Sequence, residues 1–299
     1  MIFSKISHIF CDSLSVTYHP SNSPLFELGT FLLGLSGCKV GKASKADRCY
    51  LFDNGGYVLV WANQRFEKVN FSGRSIEVLR ASNLWGETLS LLSECPHNLT
   101  RLDAASDVSE PYHKVRERLL TDYPEYRVRL GRKYLQSQEK YFTIRADGLP
   151  TSTYEIGQRG SGKQMVRIYD KQNEILEKQG EMVPPLTRIE LEVAREFKAT
   201  LRDAMDPTSL FYHALGNSLV SVPPGTPEWR SIPEFTWQST GRPKVDPYKR
   251  MKRIVEESDD LRTLLELSRM SHSGGIETAI SLVTAYLQEA ADTPLQASA

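Results

Sequence analysis

An α+β fold, an antiparallel sheet with helices packed mainly on one face, is what the sequence predicts, and three observations predict it. Short strand-like runs alternate with amphipathic helical stretches over roughly the first 220 residues. Three of those strands, 100–108, 164–171 and 187–193, alternate apolar with charged side chains at the period of two that a half-covered sheet requires. The composition, 40 % hydrophobic and 25 % charged over 299 residues, is that of a folded chain long enough to bury a sizeable core.

The elements follow in order. IFCDSLSVTY (9–18) is rich in β-branched and aromatic residues and stops before Pro20, as a strand does. Pro24 to Leu35 carries a helical apolar stripe. Strand-like runs occupy 48–53, 56–62 and 66–71, with Asn54-Gly55 as a hairpin turn between the first two. Ser75 to Leu92 has the spacing of one long helix, 98–108 reads as a strand, and Pro111 opens a helix to about Leu120. Strands are expected at 140–146, 151–157, 164–170 and 187–193, a helix over Tyr169–Lys178 ended by Pro184-Pro185, and another helix from Arg195. VPPGTPEW (222–229) marks a linker or a wrapped loop, and helices near 246–270 and 275–291 follow. The organisation is therefore a body at 1–220 and a small helical C-terminal region at 221–299.

Charge and metal-ligand counts exclude several classes. With 37 Lys+Arg against 37 Asp+Glu, the net charge is zero, which argues against bulk coating of nucleic acid or membrane. Cys11, Cys38, Cys49 and Cys95 form no CxxC pair, so neither a zinc ribbon nor a disulfide framework fits. No stretch approaches 18 apolar residues and the N-terminus lacks a long apolar region, so a cytoplasmic, non-membrane protein is expected. The six histidines are dispersed, with no HxH pair.

The alternating strands give each face one chemistry. Leu102, Ala104 and Val108 oppose Arg101, Asp103, Ala105 and Asp107; Ile189, Leu191 and Val193 oppose Arg188, Glu190 and Glu192; Val166 and Ile168 oppose Arg167, Tyr169 and Lys171. Two readings of the charged face stand at this point. One is a solvated open face. The other is a divalent-cation site, Mg²⁺ or Mn²⁺, held by Asp103 and Glu190 with Asp107 and Glu192 as supporting or alternative ligands, since hard cations take carboxylate oxygens.

TSTYEIGQRGSGKQMVRIYDK (151–171) is the most informative segment. GQRGSGK lacks the Ser or Thr that a phosphate-binding Walker loop places after its Lys; Gln164 stands there. A hairpin turn with Arg159 and Lys163 at its tip explains the segment better.

In these stretches the chain resembles the replication initiation factor family, the rolling-circle initiators of small plasmids and filamentous phages. CDSLSVTY (11–18), TRLDAASDV (100–108), TYEIGQRGSGKQMVRIYDK (153–171) and TRIELEV (187–193) match in order over roughly residues 8–200, with Ser13 departing where an aromatic is common. The resemblance implies a nicking domain without the paired-histidine motif. It implies an origin-specific nickase in which a tyrosine attacks a phosphodiester, leaving a 5′-phosphotyrosyl link and a free 3′-OH. Among 13 tyrosines, Tyr154 matches the family's Thr-x-Tyr-x-x-Gly-x-Arg position and is the expected nucleophile; Tyr169, beside Arg167 and Lys171, is the alternative. Arg159 and Lys171 are the cations expected at the reacting phosphate.

DNA contacts are expected where basic residues cluster. Between 127 and 171 ten basic residues face four acidic ones, Arg127, Arg129, Arg132, Lys133, Lys163 and Arg167 among them, with Tyr134, Tyr141 and Phe142 able to stack on bases. Between 241 and 255 six basic residues, including Lys249, Arg250, Lys252 and Arg253, face one acidic residue. The partners expected are origin DNA, a host helicase and a second copy of the chain. Two rival functions remain at this level: a non-catalytic origin- or promoter-binding regulator, and a metal-dependent nuclease that activates water.

Overall fold

In a computed structural model, residues 3, 6, 8–42, 45–130, 133–144, 150–158 and 164–231 are described. The strands are β1 (Ile9–Tyr18), β2 (Cys38–Gly41), β3 (Arg48–Phe52), β4 (Tyr57–Ala62), β5 (Glu67–Ser72), β6 (His97–Val108), β7 (Arg127–Leu130), β8 (Lys133–Ile144), β9 (Pro150–Ile156), β10 (Gln164–Asp170) and β11 (Thr187–Ala194). The helices are α1 (Leu25–Leu33), α2 (Gly73–Ala81), α3 (Trp85–Ser93), α4 (Tyr112–Asp122), α5 (Lys171–Gln179), α6 (Leu201–Met205) and α7 (Thr208–Leu219). The fold is α+β. The strands form one eleven-stranded sheet in the order β2-β3-β4-β5-β1-β6-β11-β10-β9-β8-β7, and neighbouring strands run antiparallel.

The apolar residues of alternate positions meet in one core. Leu14 and Val16 of β1, Leu102 and Ala104 of β6, Ile189, Leu191 and Val193 of β11 and Val166 and Ile168 of β10 are buried together with Leu28, Ile76, Leu79, Leu92, Val115, Leu119, Phe211 and Leu215 from the helices. The charged positions of the same strands therefore lie on the opposite face.

Three expectations change. The helix expected over 75–92 is two helices, because Asn83 takes a left-handed conformation (φ 57°) and ends the first run. The edge strands β2 and β7, four residues each, carry too short an alternation to read as strands. The expected helix from Arg195 is a single 3₁₀ turn over Arg195–Phe197 followed by α6 and α7.

The proline-rich stretch after 220 wraps back onto the body as far as it is described. Trp229 packs at a tilt against Phe197 and His213, at 5.0 and 5.1 Å between ring centres, and donates its indole N–H to Asp203 at 2.9 Å. The basic run at 241–255, with Lys249, Arg250, Lys252 and Arg253, and the two C-terminal helices expected from the sequence lie outside the described residues.

Candidate active site on the open face of the sheet

The four central strands β1, β6, β11 and β10 bring residues far apart in sequence to adjacent positions. Register sets Ser13 opposite Asp103, Asp103 opposite Glu192, Glu190 opposite Arg167, and Arg188 opposite both Asp107 and Tyr169. The β1–β6 ladder slips between Cys11 and Ser13, so Asp12 is an extra residue in a bulge. That bulge turns the Asp12 carboxylate toward Arg188, whose Nη1 donates to it at 2.9 Å.

Arg188 laces three strands. Its Nε and Nη2 donate to both oxygens of Asp107, at 2.6 and 2.7 Å, its third nitrogen reaches Asp12, and its plane lies 5.0 Å from the Phe10 ring centre. A guanidinium fork of this kind is the strong, geometrically specific form of ion pair. Burial pushes the Asp12 carboxyl up despite Arg188.

Beside it lies a second cluster. Arg101 donates Nε–H to Asp103 Oδ1 at 2.7 Å and an Nη2–H to Oδ2, and sits 3.1 Å from Glu192. Arg167 donates to Glu190 and lies 3.7 Å from Asp103. Burial, then the neighbouring Asp103, pushes the Glu190 carboxyl up to about 7, and burial raises Asp103 as well.

This geometry corrects the expected metal site. Asp103 and Glu190 do meet, but Arg101 takes both oxygens of Asp103, Arg167 takes Glu190, Arg188 takes Asp107, and Glu192 faces Arg101 and Arg167. Among the described residues no three metal-ligating side chains converge. The donor set is filled by guanidinium groups and does not fit a divalent ion as arranged, so no step below is routed through one.

The two tyrosines separate cleanly. Tyr154 pairs with Ile168 in the β9–β10 ladder and shares its apolar face; it is fully buried and its hydroxyl lies 2.7 Å from Ser137 Oγ. It stands on the face opposite to the charged cluster, which corrects its assignment as nucleophile: a core phenol cannot meet a DNA phosphate. Tyr169 pairs with Arg188 and lines a cleft of about 320 Å³ on the open face, together with Asp12, Arg74, Lys171, Lys178 and Arg188. Its hydroxyl makes no hydrogen bond among the described residues. Burial, then Glu190, raises its pKa well above the ordinary 10, while Arg188 opposes the shift.

The cleft is built by turns and caps. Asp170 caps α5 by accepting from Asn173 N–H at 2.9 Å, which turns the chain directly after Tyr169 and starts the helix at Lys171. Lys171 and Lys178 both pair with Glu174, at 2.8 and 2.5 Å, along one helix face. On the opposite wall Ser72 caps α2, and Gly73 passes so close to β1 that a Cβ there would lie 2.7 Å from Asp12 Oδ1.

Other expected DNA contacts fall elsewhere. Arg127 and Arg129 stand exposed on β7, with Arg127 5.5 Å over the ring of exposed Tyr134, three strand positions from Tyr169. Lys133 belongs to β8, and Tyr141 and Phe142 lie further along it. Arg132, Arg159 and Lys163 lie outside the described residues. Sequence reasoning passed over Asp12, Arg74 and Arg188 as site residues. Asp12 and Arg188 lie inside matched stretches, but only the bulge and the register show that they meet.

No family model matches the chain, and no curated protein does. Among solved structures, a rolling-circle replication initiator protein from Geobacillus stearothermophilus is similar over 69 % of this chain and 84 % of its own, with 18 % sequence identity and a TM-score of 0.48.

Proposed function

We propose that the chain is a rolling-circle replication initiator that nicks and rejoins one DNA strand through Tyr169. The observation that carries this reading is convergence. Asp12, Asp107, Tyr169 and Arg188, one from each of the four stretches that resemble replication initiation factors, meet on one face, and the one tyrosine among them opens into a cleft rimmed by Arg74, Lys171, Lys178 and Arg188.

The chemistry follows from the surroundings. A strand phosphate in the cleft is met by cations, which stabilise the charge that builds on its oxygens during attack. The Tyr169 oxygen bonds to phosphorus, the P–O3′ bond breaks, and the freed 3′-oxygen takes a proton. Rejoining is the reverse transfer, with the bond energy conserved in the phosphotyrosyl link. Because burial keeps Tyr169 un-ionised, its proton must leave as attack proceeds. Glu190, titrating near neutrality, is the carboxylate best matched to accept it.

The test is to incubate the protein with supercoiled plasmid carrying its origin, in Mg²⁺ or Mn²⁺, and look for a covalent protein–DNA band. Wild type and Tyr154→Phe are expected to give the band, and Tyr169→Phe to lose it while still binding DNA. A band that survives Tyr169→Phe overturns the assignment. Binding without nicking by the wild type favours the regulator reading instead.

A further inference from the structure

We infer that a second cavity on the open face, over β8, β9 and β10, reads one base of the bound strand, with Glu155 selecting a base that carries an exocyclic amine, adenine or cytosine. This rests on Tyr169 as the nucleophile, because Arg167 in the cavity wall precedes Tyr169 by two residues on the same strand face, about 6.6 Å away. The base read is therefore adjacent to the phosphate attacked.

The cavity has a volume of about 280 Å³ and is lined by Gln138, Lys140, Glu155, Gln158, Met165 and Arg167. That is just below the roughly 300–1,000 Å³ of small-molecule sites, room for a single base. The wall offers donors and acceptors together with one apolar surface, which suits a heterocycle edge. A phosphate would set its charge against Glu155.

Glu155 is 8 % exposed, yet it remains an acceptor. Lys140 Nζ at 2.5 Å and Gln138 Nε2 at 3.1 Å both converge on its Oε2, so Oε1 has no hydrogen bond among the described residues. Arg167, in the same wall, carries a buried Nε with no hydrogen-bond partner among the described residues. An anionic acceptor faces an amine at cytosine N4 or adenine N6 favourably and faces the carbonyls of thymine and guanine unfavourably.

The experiment uses the full chain carrying Tyr169→Phe, expected to bind without cutting, and a randomised single-stranded oligonucleotide library. Selected sequences are expected to restrict one position to adenine or cytosine. Fluorescence anisotropy with four oligonucleotides differing only there then gives the discrimination, expected at roughly 5- to 150-fold. Glu155→Gln, nearly equal in shape, is expected to abolish most of that preference, and Lys140→Ala to weaken it by freeing the carboxylate. No restricted position, or a preference unchanged in both variants, overturns the pocket. A base preference found where Tyr169 forms no covalent band upholds the pocket and overturns the nucleophile. A Tyr169-dependent band with no such preference does the reverse.

Discussion

Tyr154 and Tyr169 carry the same phenol on opposite faces of neighbouring strands, and their neighbours give them different work. The Tyr154 hydroxyl is buried against Ser137, with burial raising its pKa, so it serves as a hydrogen-bonded core residue. Tyr154→Phe removes one buried hydrogen bond while keeping the ring. Its expected cost is about 0.5–1.5 kcal/mol, read as a lower denaturant midpoint with an unchanged slope. Covalent adduct formation by the same variant is expected at the wild-type level. A stable variant without adduct contradicts the core role. Strand parity already separates the two residues: in T-S-T-Y-E-I, Tyr154 shares a side with Ser152 and Ile156, while Glu155 faces the other way. The motif resemblance pointed to Tyr154 because motif position is blind to which side of a strand a residue occupies.

Elements set the site through close approaches that single residues permit. Gly73 opens α2 where the helix meets the Asp12 bulge, and a methyl there would lie 2.7 Å from Asp12 Oδ1 and 2.8 Å from its backbone oxygen. Gly86, in the first turn of α3, would place a methyl 3.6 Å from Met205 Cε, an ordinary contact. The two glycines therefore respond oppositely to the same change. Gly86→Ala is expected to stabilise by about 0.5–1 kcal/mol through lost unfolded-state freedom. Gly73→Ala is expected to destabilise by about 1–3 kcal/mol, since crowding exceeds the helix-propensity gain. Thermal melts of both variants check this, and a stabilised Gly73→Ala would mean that β1 yields there. The strands β1, β6 and β11 were legible because each has a long run of alternation with a buried side. The break after α2 and the edge strands β2 and β7 were not, since one left-handed Asn and four-residue edges leave almost no periodic trace.

At the scale of the whole molecule, zero net charge conceals a sheet face where Asp12, Asp103, Asp107, Glu190 and Glu192 gather around Arg101, Arg167 and Arg188. Sequence parity put seven of these eight groups on one face, and the β1 bulge brings Asp12 to join them. It could not say that cross-strand register would hand each carboxylate to an arginine, and a metal was the natural expectation from carboxylates alone. Five acids against three guanidinium groups leave the cluster short of positive charge, and proton uptake relieves it. Glu190 titrates at about 7 in the folded chain against about 4.5 unfolded, and Asp12 and Asp103 are raised too. The folded state thus binds more protons than the unfolded chain between those values, so stability falls as pH rises through this window. Glu174 has the opposite sign: its two lysines hold it near 2, so its contribution is present above about 4.5 and lost only as pH falls toward 2. Stability is therefore expected to peak near pH 5 and to decline toward pH 8. Glu190→Gln removes a group that is raised to about 7, so its melting temperature is expected to decline less over pH 5–8 than that of wild type. Parallel profiles for the two proteins would show that Glu190 is ionised throughout, and would remove the match to neutrality for which it was assigned the Tyr169 proton.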